Sequence, residues 1–168
     1  MNGNNKPIGF DASGFQILTD AVRYLLNSYP GLDKNDYISF EELEKDSGIA
    51  FSADSGPLVM SEIRSITDHV RQACQYPFFI VYRTSSKQEN QKINVQDFLD
   101  KIGKWICQET IEVNGKTNRL YKMPELSDGR KITRITRQNS YGIEPDENGV
   151  QDWLLPCTVQ YTHEYDIW

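Results

Sequence analysis

The sequence predicts an α+β fold, in which an antiparallel or mixed β-sheet has two main helices packed on one of its faces. Two observations support this prediction. Apolar residues recur at helical spacing in two separate segments, and the segments between and after them are rich in β-forming residues and turn signals. The element order is therefore helix, strands, helix, strands. At 168 residues the chain has the length of one ordinary domain, so we expect a single domain over residues 1–168.

The first predicted helix runs from about Phe15 to Tyr29. Its apolar residues fall three and four positions apart, which gives one buried stripe. Asp11 or Ser13 is placed to cap its start. The dipeptide Pro30-Gly31 ends it, because proline cannot continue the backbone ladder.

The second predicted helix, from about Asn94 to Cys107, is the clearest element of the sequence. Its charged residues lie mostly on the face opposite the apolar one. That apolar face comprises Val95, Phe98, Leu99, Ile102, Trp105 and Ile106.

The strands are predicted from dense β-forming residues and from turn signals. Phe78 to Tyr82 is expected to form a central strand, and Asn114-Gly115 is a strong hairpin signal because both turn residues need a positive φ. The hairpin signal lies within a β-rich segment from Ile111 to Tyr121. The other strand candidates are a short strand within Asp36 to Leu43, with Ile38, Phe40 and Leu43 on its buried face, and the segments Leu58 to Ile66, Lys131 to Tyr141 and Trp153 to Trp168.

Charge and hydropathy exclude two classes of protein. The formal net charge is −6, from 24 acidic and 18 basic residues, which argues against a dedicated DNA-binding domain. No apolar run approaches the ~20 residues that a membrane span needs. Residues 1–10 are polar and are expected to form a flexible tail without the apolar stretch of a signal peptide, so we expect a cytoplasmic protein.

No known catalytic or nucleotide-binding motif occurs in the sequence. Neither glycine-rich nucleotide fingerprint is present, nor is a serine-hydrolase elbow. The cysteines Cys74, Cys107 and Cys157 are widely spaced and are interpreted as packing residues. We therefore predict no enzyme activity, no catalytic residue, no cofactor and no bound metal.

Two polar segments, His163 to Asp166 and the acidic stretch from Glu41, contain residue types that can bind a metal ion, but neither is interpreted as a metal site. In a strand, His163 and Tyr165 face one way and Glu164 and Asp166 the other, which separates the histidine from the acids. The acidic stretch that begins at Glu41 is interpreted as a solvated edge or turn.

Four segments resemble a known group of proteins by their order and spacing. They are Tyr37-Ile38-Ser39-Phe40-Glu41-Glu42-Leu43, Gln75-Tyr76-Pro77-Phe78-Phe79-Ile80-Val81-Tyr82-Arg83, Phe98-Leu99-Asp100-Lys101-Ile102-Gly103-Lys104-Trp105-Ile106 and Trp153-Leu154-Leu155-Pro156. Together they make the chain, from about Tyr37 to Trp168, similar to the minor capsid or tail-terminator proteins of long-tailed phages and prophages of Gram-positive bacteria.

The resemblance implies a virion structural protein. Tail terminators are small α+β subunits that form a hexameric ring on the finished tail tube and present a surface to the head-side connector. The implied partners are further copies of the chain, the tail tube protein and the head-side connector protein, with DNA only as passing cargo and no membrane. The implied location is the tail or neck of the virion, after assembly in the host cytoplasm.

Candidate subunit contacts follow from unpaired edges, charge and aromatic side chains. They are Asn114, Gly115, Arg130, Arg134, Arg137, Tyr165 and Trp168.

Three alternatives remain open. Another head–tail joining subunit, such as a head-closure protein, shares the size and composition. A small metal-dependent hydrolase would require Glu41, Glu44, His163 or Asp166 to converge in one pocket. A monomeric binding module would show no self-association.

Overall fold

The structure, a computed structural model, describes residues 6–85 and 89–167, with residues 89–93 described by their backbone alone. The helices are α1 (Phe15–Asn27) and α2 (Glu89–Ile106), with a short 3-10 turn at Ala12–Gly14. The strands are β1 (Gly9–Phe10), β2 (Ile38–Phe40), β3 (Gly48–Ala53), β4 (Leu58–Arg64), β5 (His69–Thr84), β6 (Ile111–Val113), β7 (Lys116–Asn118), β8 (Arg130–Arg137), β9 (Tyr141–Gly142) and β10 (Gln151–Asp166).

The described residues form one eight-stranded sheet built around β5 and β10. These two strands pair antiparallel over their full length, from Gln151 opposite Thr84 to Asp166 opposite His69. Strands β4 and β3 both flank the other side of β5, β1 pairs with β4, and β8 and β9 pair with β10. Only the β2–β3 pair among these strands is parallel. The prediction of an α+β fold is confirmed, and its sheet is mixed with a predominantly antiparallel arrangement.

Both helices lie on one face of the sheet, which we call the inner face. Alternate residues are buried from Cys74 to Ile80 in β5 and from Trp153 to Tyr161 in β10. The helix α1 reaches this face through a hydrogen bond of 2.8 Å between Thr19 Oγ1 and the Tyr76 hydroxyl. From α2, Gly103 lies so close to Leu155 that an added Cβ would be 3.0 Å from that side chain. The core therefore lies between the inner face and the two helices.

Several boundaries differ from the predictions. Strand β3 was not predicted; it pairs antiparallel with β5 through Gly48–Ala53. The expected flexible tail at residues 1–10 is wrong at its last residues, because Gly9 and Phe10 pair with Val59 and Leu58 at the sheet edge. The helix α2 begins five residues earlier than expected.

The Asn114-Gly115 hairpin is confirmed. Asn114 has φ 52° and Gly115 has φ 74°, and the turn joins β6 to β7. These two strands form a separate small sheet, so the hairpin is not an edge of the main sheet.

Candidate subunit interface

The face of the sheet opposite the helices carries a band of apolar side chains that we call the outer band. It comprises Leu58, Pro77, Phe79, Val81, Leu154 and Pro156. Phe79 lies opposite Pro156 and Val81 opposite Leu154, so the side chains form paired rows across β5 and β10. None of the six is buried, and none belongs to the core cluster.

Neither described helix can cover the outer band, because both pack on the inner face. The band lies on three neighbouring strands, β4, β5 and β10, and extends over six residue steps of β5, from the position opposite Leu58 to Val81, which corresponds to a flat area of roughly 300 Å². The six side chains are half-buried, and a patch of this size is within the range of the largest apolar patch on an ordinary monomer, which is often a functional surface. The ion pair between Arg83 and Asp152, at 2.7 Å, bounds the band at one end.

The arginines predicted to contact a neighbouring subunit, Arg130, Arg134 and Arg137, do not form one exposed surface, because Arg130 is buried. Its guanidinium forms two hydrogen bonds with Asp11, from Nε at 2.9 Å and from Nη2 at 2.7 Å. The side chains of Arg130 and Asp11 are 2% and 4% exposed. The expectation that Arg130 contacts a neighbouring subunit is therefore wrong, since its charge is neutralised inside the chain.

Asp11 is held in its charged form by this arrangement. Burial on its own would raise the pKa of the Asp11 carboxyl, but the hydrogen bonds from Arg130 and Tyr161 outweigh burial, and the pKa is lowered. The Tyr161 hydroxyl donates to Asp11 Oδ2 at 2.7 Å, and burial raises the pKa of that hydroxyl. The predicted role of Asp11 as a helix cap is not observed, because no side-chain cap bond forms at the start of α1.

The other two basic candidates differ in their surroundings. Arg137 is largely buried and pairs with Asp100 of α2 at 3.0 Å, which engages it within the chain. Arg134 is exposed on β8 and donates to Gln160 Oε1 at 2.8 Å. Of the three predicted arginines, Arg134 is thus the one that a neighbouring subunit can reach.

The remaining candidates lie apart from one another. Asn114 and Gly115 are exposed at the tip of the small hairpin. Tyr165 is 37% exposed near the end of β10, and its ring centroid lies 5.0 Å from that of His163. Trp168 lies outside the described residues.

The histidine and acids at the end of β10 face opposite ways, as the alternation predicted. His163 and Tyr165 are neighbours on one face, whereas Glu164 and Asp166 lie beside His69 on the other face. His69 Nδ1 is 2.8 Å from Asp166, and Nε2 is 3.4 Å from Glu164. Hydrogen bonding to these two carboxylates raises the pKa of His69, whereas burial and the charge of Arg130 lower the pKa of His163.

The acidic residues weighed as metal ligands do not converge. Glu41 and Glu44 line an open depression of about 550 Å³ beside β2, which His163 and Asp166 do not line. Within residues 6–85 and 89–167, no group of three or more histidine, cysteine, aspartate or glutamate side chains is arranged to hold a metal ion. Cys74 and Cys157 are buried, and burial raises the pKa of the Cys74 thiol to about 11.

One exposed apolar feature was missed by the sequence reasoning. The turn between β4 and β5 holds Ile66 fully exposed, and Ile63 is 71% exposed on the adjoining strand. We call Ile63 and the turn 65–68, which contains Ile66, the β4–β5 tip. The signal that could have identified it is an isoleucine among the polar turn residues Ser65, Thr67 and Asp68.

None of the described helices is long and apolar enough to span a membrane. No protein family model matches the chain, and no curated protein matches it.

Proposed function

We propose that the chain is a structural subunit of a phage virion, and specifically a tail terminator that forms a ring on the tail tube and joins it to the head-side connector. The observation that carries the assembly role is the outer band, a row of paired apolar side chains on a sheet face that neither described helix covers. A subunit buries such a face against further chains. In the proposed ring, the first of these chains is a second copy of the protein.

The specific place in the virion rests on the resemblance of the four segments described above. Their positions in the fold are compatible with it, because one segment lies within β5, one within β10 and one within α2, which are elements that contribute to the core. The net charge of −6 favours a soluble subunit that resists premature association by self-repulsion. A negatively charged ring also repels the phosphates of DNA, so DNA can pass through it without binding.

The proposal is tested by the solution mass of the protein. Light scattering over a concentration series, with negative-stain images of the same samples, is expected to show closed rings of about six subunits, the number that the resemblance implies. A matched pair of variants locates the contact. Phe79→Ser on the outer band is expected to weaken assembly, whereas Tyr121→Ser, which removes an 84% exposed aromatic elsewhere, is expected to leave it unchanged.

A strict monomer at all concentrations would count against the ring and favour a monomeric binding module. A closed ring with a stoichiometry other than six would contradict the six-subunit ring that the resemblance implies. Addition of the protein to polymerising tail tubes would distinguish a terminator from a head-closure subunit, because a terminator limits tube length and a head-closure subunit does not.

A further inference from the structure

We infer that His163 is a pH-sensitive link between the end of β10 and the start of β8, which holds these two segments together when its ring is neutral and loosens them when its ring is protonated. This inference goes beyond the proposed function and does not depend on assembly, because every contact that carries it lies within one chain.

His163 belongs to a row of four polar residues that crosses the sheet. Glu62 of β4 lies opposite Gln72 of β5, and Gln72 lies opposite His163. On the other side of β10, His163 lies opposite Arg130, the first residue of β8. Residues directly opposite one another present their side chains on the same face of the sheet and interact there. Burial increases along the row, from the exposed Glu62 through the half-buried Gln72 and His163 to the buried Arg130.

The hydrogen bonds of the row hold the neutral imidazole in place. The Gln72 amide donates from Nε2 to Glu62 Oε1 at 2.9 Å, which turns its carbonyl oxygen towards His163. That oxygen lies 3.3 Å from His163 Nδ1. Because a carbonyl oxygen only accepts, Nδ1 carries the hydrogen of the neutral ring, and a second proton is taken up at the other ring nitrogen.

A protonated His163 lies directly opposite a second cation. The Arg130 guanidinium is buried, and its counter-ion Asp11 is already occupied: it accepts from Arg130 at 2.9 and 2.7 Å and from the Tyr161 hydroxyl at 2.7 Å. Like charges directly opposite one another on paired strands are destabilising. Protonation of His163 therefore weakens the pairing of β10 with β8 at this end.

The groups around the ring do not cancel this repulsion. Burial and the charge of Arg130 disfavour the protonated ring, whereas Asp11 and the carbonyl and carboxylate of Asp128 favour it. The first two outweigh the others, so the pKa of His163 is lowered. Tyr165, whose ring centroid lies 5.0 Å away, adds no charge, and His69 lies on the other face of the sheet.

The contact that loosens is the one between the end of β10 and the turn before β8. The backbone N–H of Glu164 donates to the Gly129 carbonyl at 2.9 Å. The turn and the strand are in close contact, because a Cβ added to Gly129 would lie 2.1 Å from the Glu164 carbonyl oxygen. When this contact opens, water reaches His163 and the ring moves away from Arg130. The open state therefore binds the proton more readily than the closed one.

The sign and the size of the effect follow from this difference in proton binding. The contact is at its strongest above the ordinary histidine pKa of 6.5, and it weakens as the pH falls from there towards the folded-state pKa of His163. Opening that takes up one proton changes its equilibrium constant by about tenfold per pH unit within this window.

The test is amide hydrogen exchange of the full chain, measured by NMR at a series of pH values from 7.5 to 5. Protection factors are compared for two amides that join β10 to the segments flanking β8. One is Glu164, and the other is Gln138, which donates to the Pro156 carbonyl at 3.0 Å beyond the far end of β8. Below pH 6.5, the protection of Glu164 is expected to fall by up to about tenfold per pH unit and that of Gln138 to stay constant.

Two matched variants assign the effect to one histidine. His163→Gln keeps a neutral polar side chain and is expected to remove the fall at Glu164, whereas His69→Gln is expected to retain it. A fall that persists in His163→Gln would overturn the inference, and so would equal falls at Glu164 and Gln138 or a constant protection in the wild type. If circular dichroism shows that His163→Gln is not folded, the wild-type chain decides: the fall at Glu164 must follow the titration of the His163 ring, and one that follows His69 would overturn the inference.

Discussion

The buried pair of Asp11 and Arg130 offers a quantitative test of the fold. Replacing Asp11 by alanine removes both hydrogen bonds to Arg130 and the acceptor of the Tyr161 hydroxyl. The guanidinium then remains inside the protein without a counter-ion, because its side chain is 2% exposed. Breaking a buried pair in this way costs about 3–5 kcal/mol. That loss is a large fraction of the ~5–15 kcal/mol by which a domain is stable.

The assay is chemical denaturation followed by the fluorescence of the buried tryptophans Trp105 and Trp153. Asp97→Ala serves as the control, because Asp97 forms an exposed pair with Lys101 and its loss is expected to cost at most ~0.5 kcal/mol. The triple variant Asp11→Leu, Arg130→Met and Tyr161→Phe is expected to recover most of the stability, since it leaves neither a buried charge nor an unpaired buried hydroxyl.

The same pair predicts a dependence on pH. The pKa of Asp11 in the folded state is below its ordinary value of 3.8. The ionised carboxylate therefore contributes its full stabilisation of the fold above pH 3.8, and this stabilisation is lost as the pH falls through the folded-state pKa. The difference in unfolding free energy between the wild type and Asp11→Ala should therefore shrink as the pH is lowered below about 4. A loss below about 1 kcal/mol at neutral pH, or a difference that does not change with pH, would refute the assignment of a buried charged pair.

The other predictions concern single residues. Trp105→Ala is expected to lower the free energy of unfolding by about 3–5 kcal/mol, because the ring is buried and packs edge-on against the ring of Tyr29; denaturant melts check this. NMR titration is expected to place the pKa of His69 above the ordinary value of 6.5 and that of His163 below it. The protonated form of His69 thus stabilises the fold below that ordinary value, and this contribution is lost as the pH rises through the folded pKa. A thiol reagent at pH 8 is expected to leave Cys74 and Cys157 unmodified until the protein is unfolded, because both are buried and both thiol pKa values are raised.

Local sequence patterns predicted the elements whose signal lies within a few residues. The apolar stripes of α1 and α2, and the Asn114-Gly115 turn, depend on spacing or on backbone conformation at single positions. Strand β3 was missed because Gly48–Ala53 is short and follows a charged stretch, and it becomes a strand by pairing with β5. Long-range pairing of this kind has no local signature.

The candidate interface was less predictable for the same reason. Arg130 belongs to a basic run in sequence, but its role is decided by Asp11, which lies 119 positions away. Arg137 likewise pairs with Asp100 of α2, which lies 37 positions away. Whether a charged residue faces solvent or pairs with another residue of the chain depends on which strands lie side by side. Of Arg130, Arg134 and Arg137, Arg134 is the one that is exposed as predicted.

The proposed assembly accounts for where apolar side chains lie outside the core. The core lies between the helices and the inner face of the sheet. On the opposite face, the outer band holds six half-buried apolar side chains on β4, β5 and β10, and the turn between β4 and β5 holds Ile66 fully exposed. Polar residues are the usual occupants of such a turn. In the proposed ring, a further chain covers the outer band, so Phe79→Ser is expected to weaken assembly while the core on the other face of the sheet is retained.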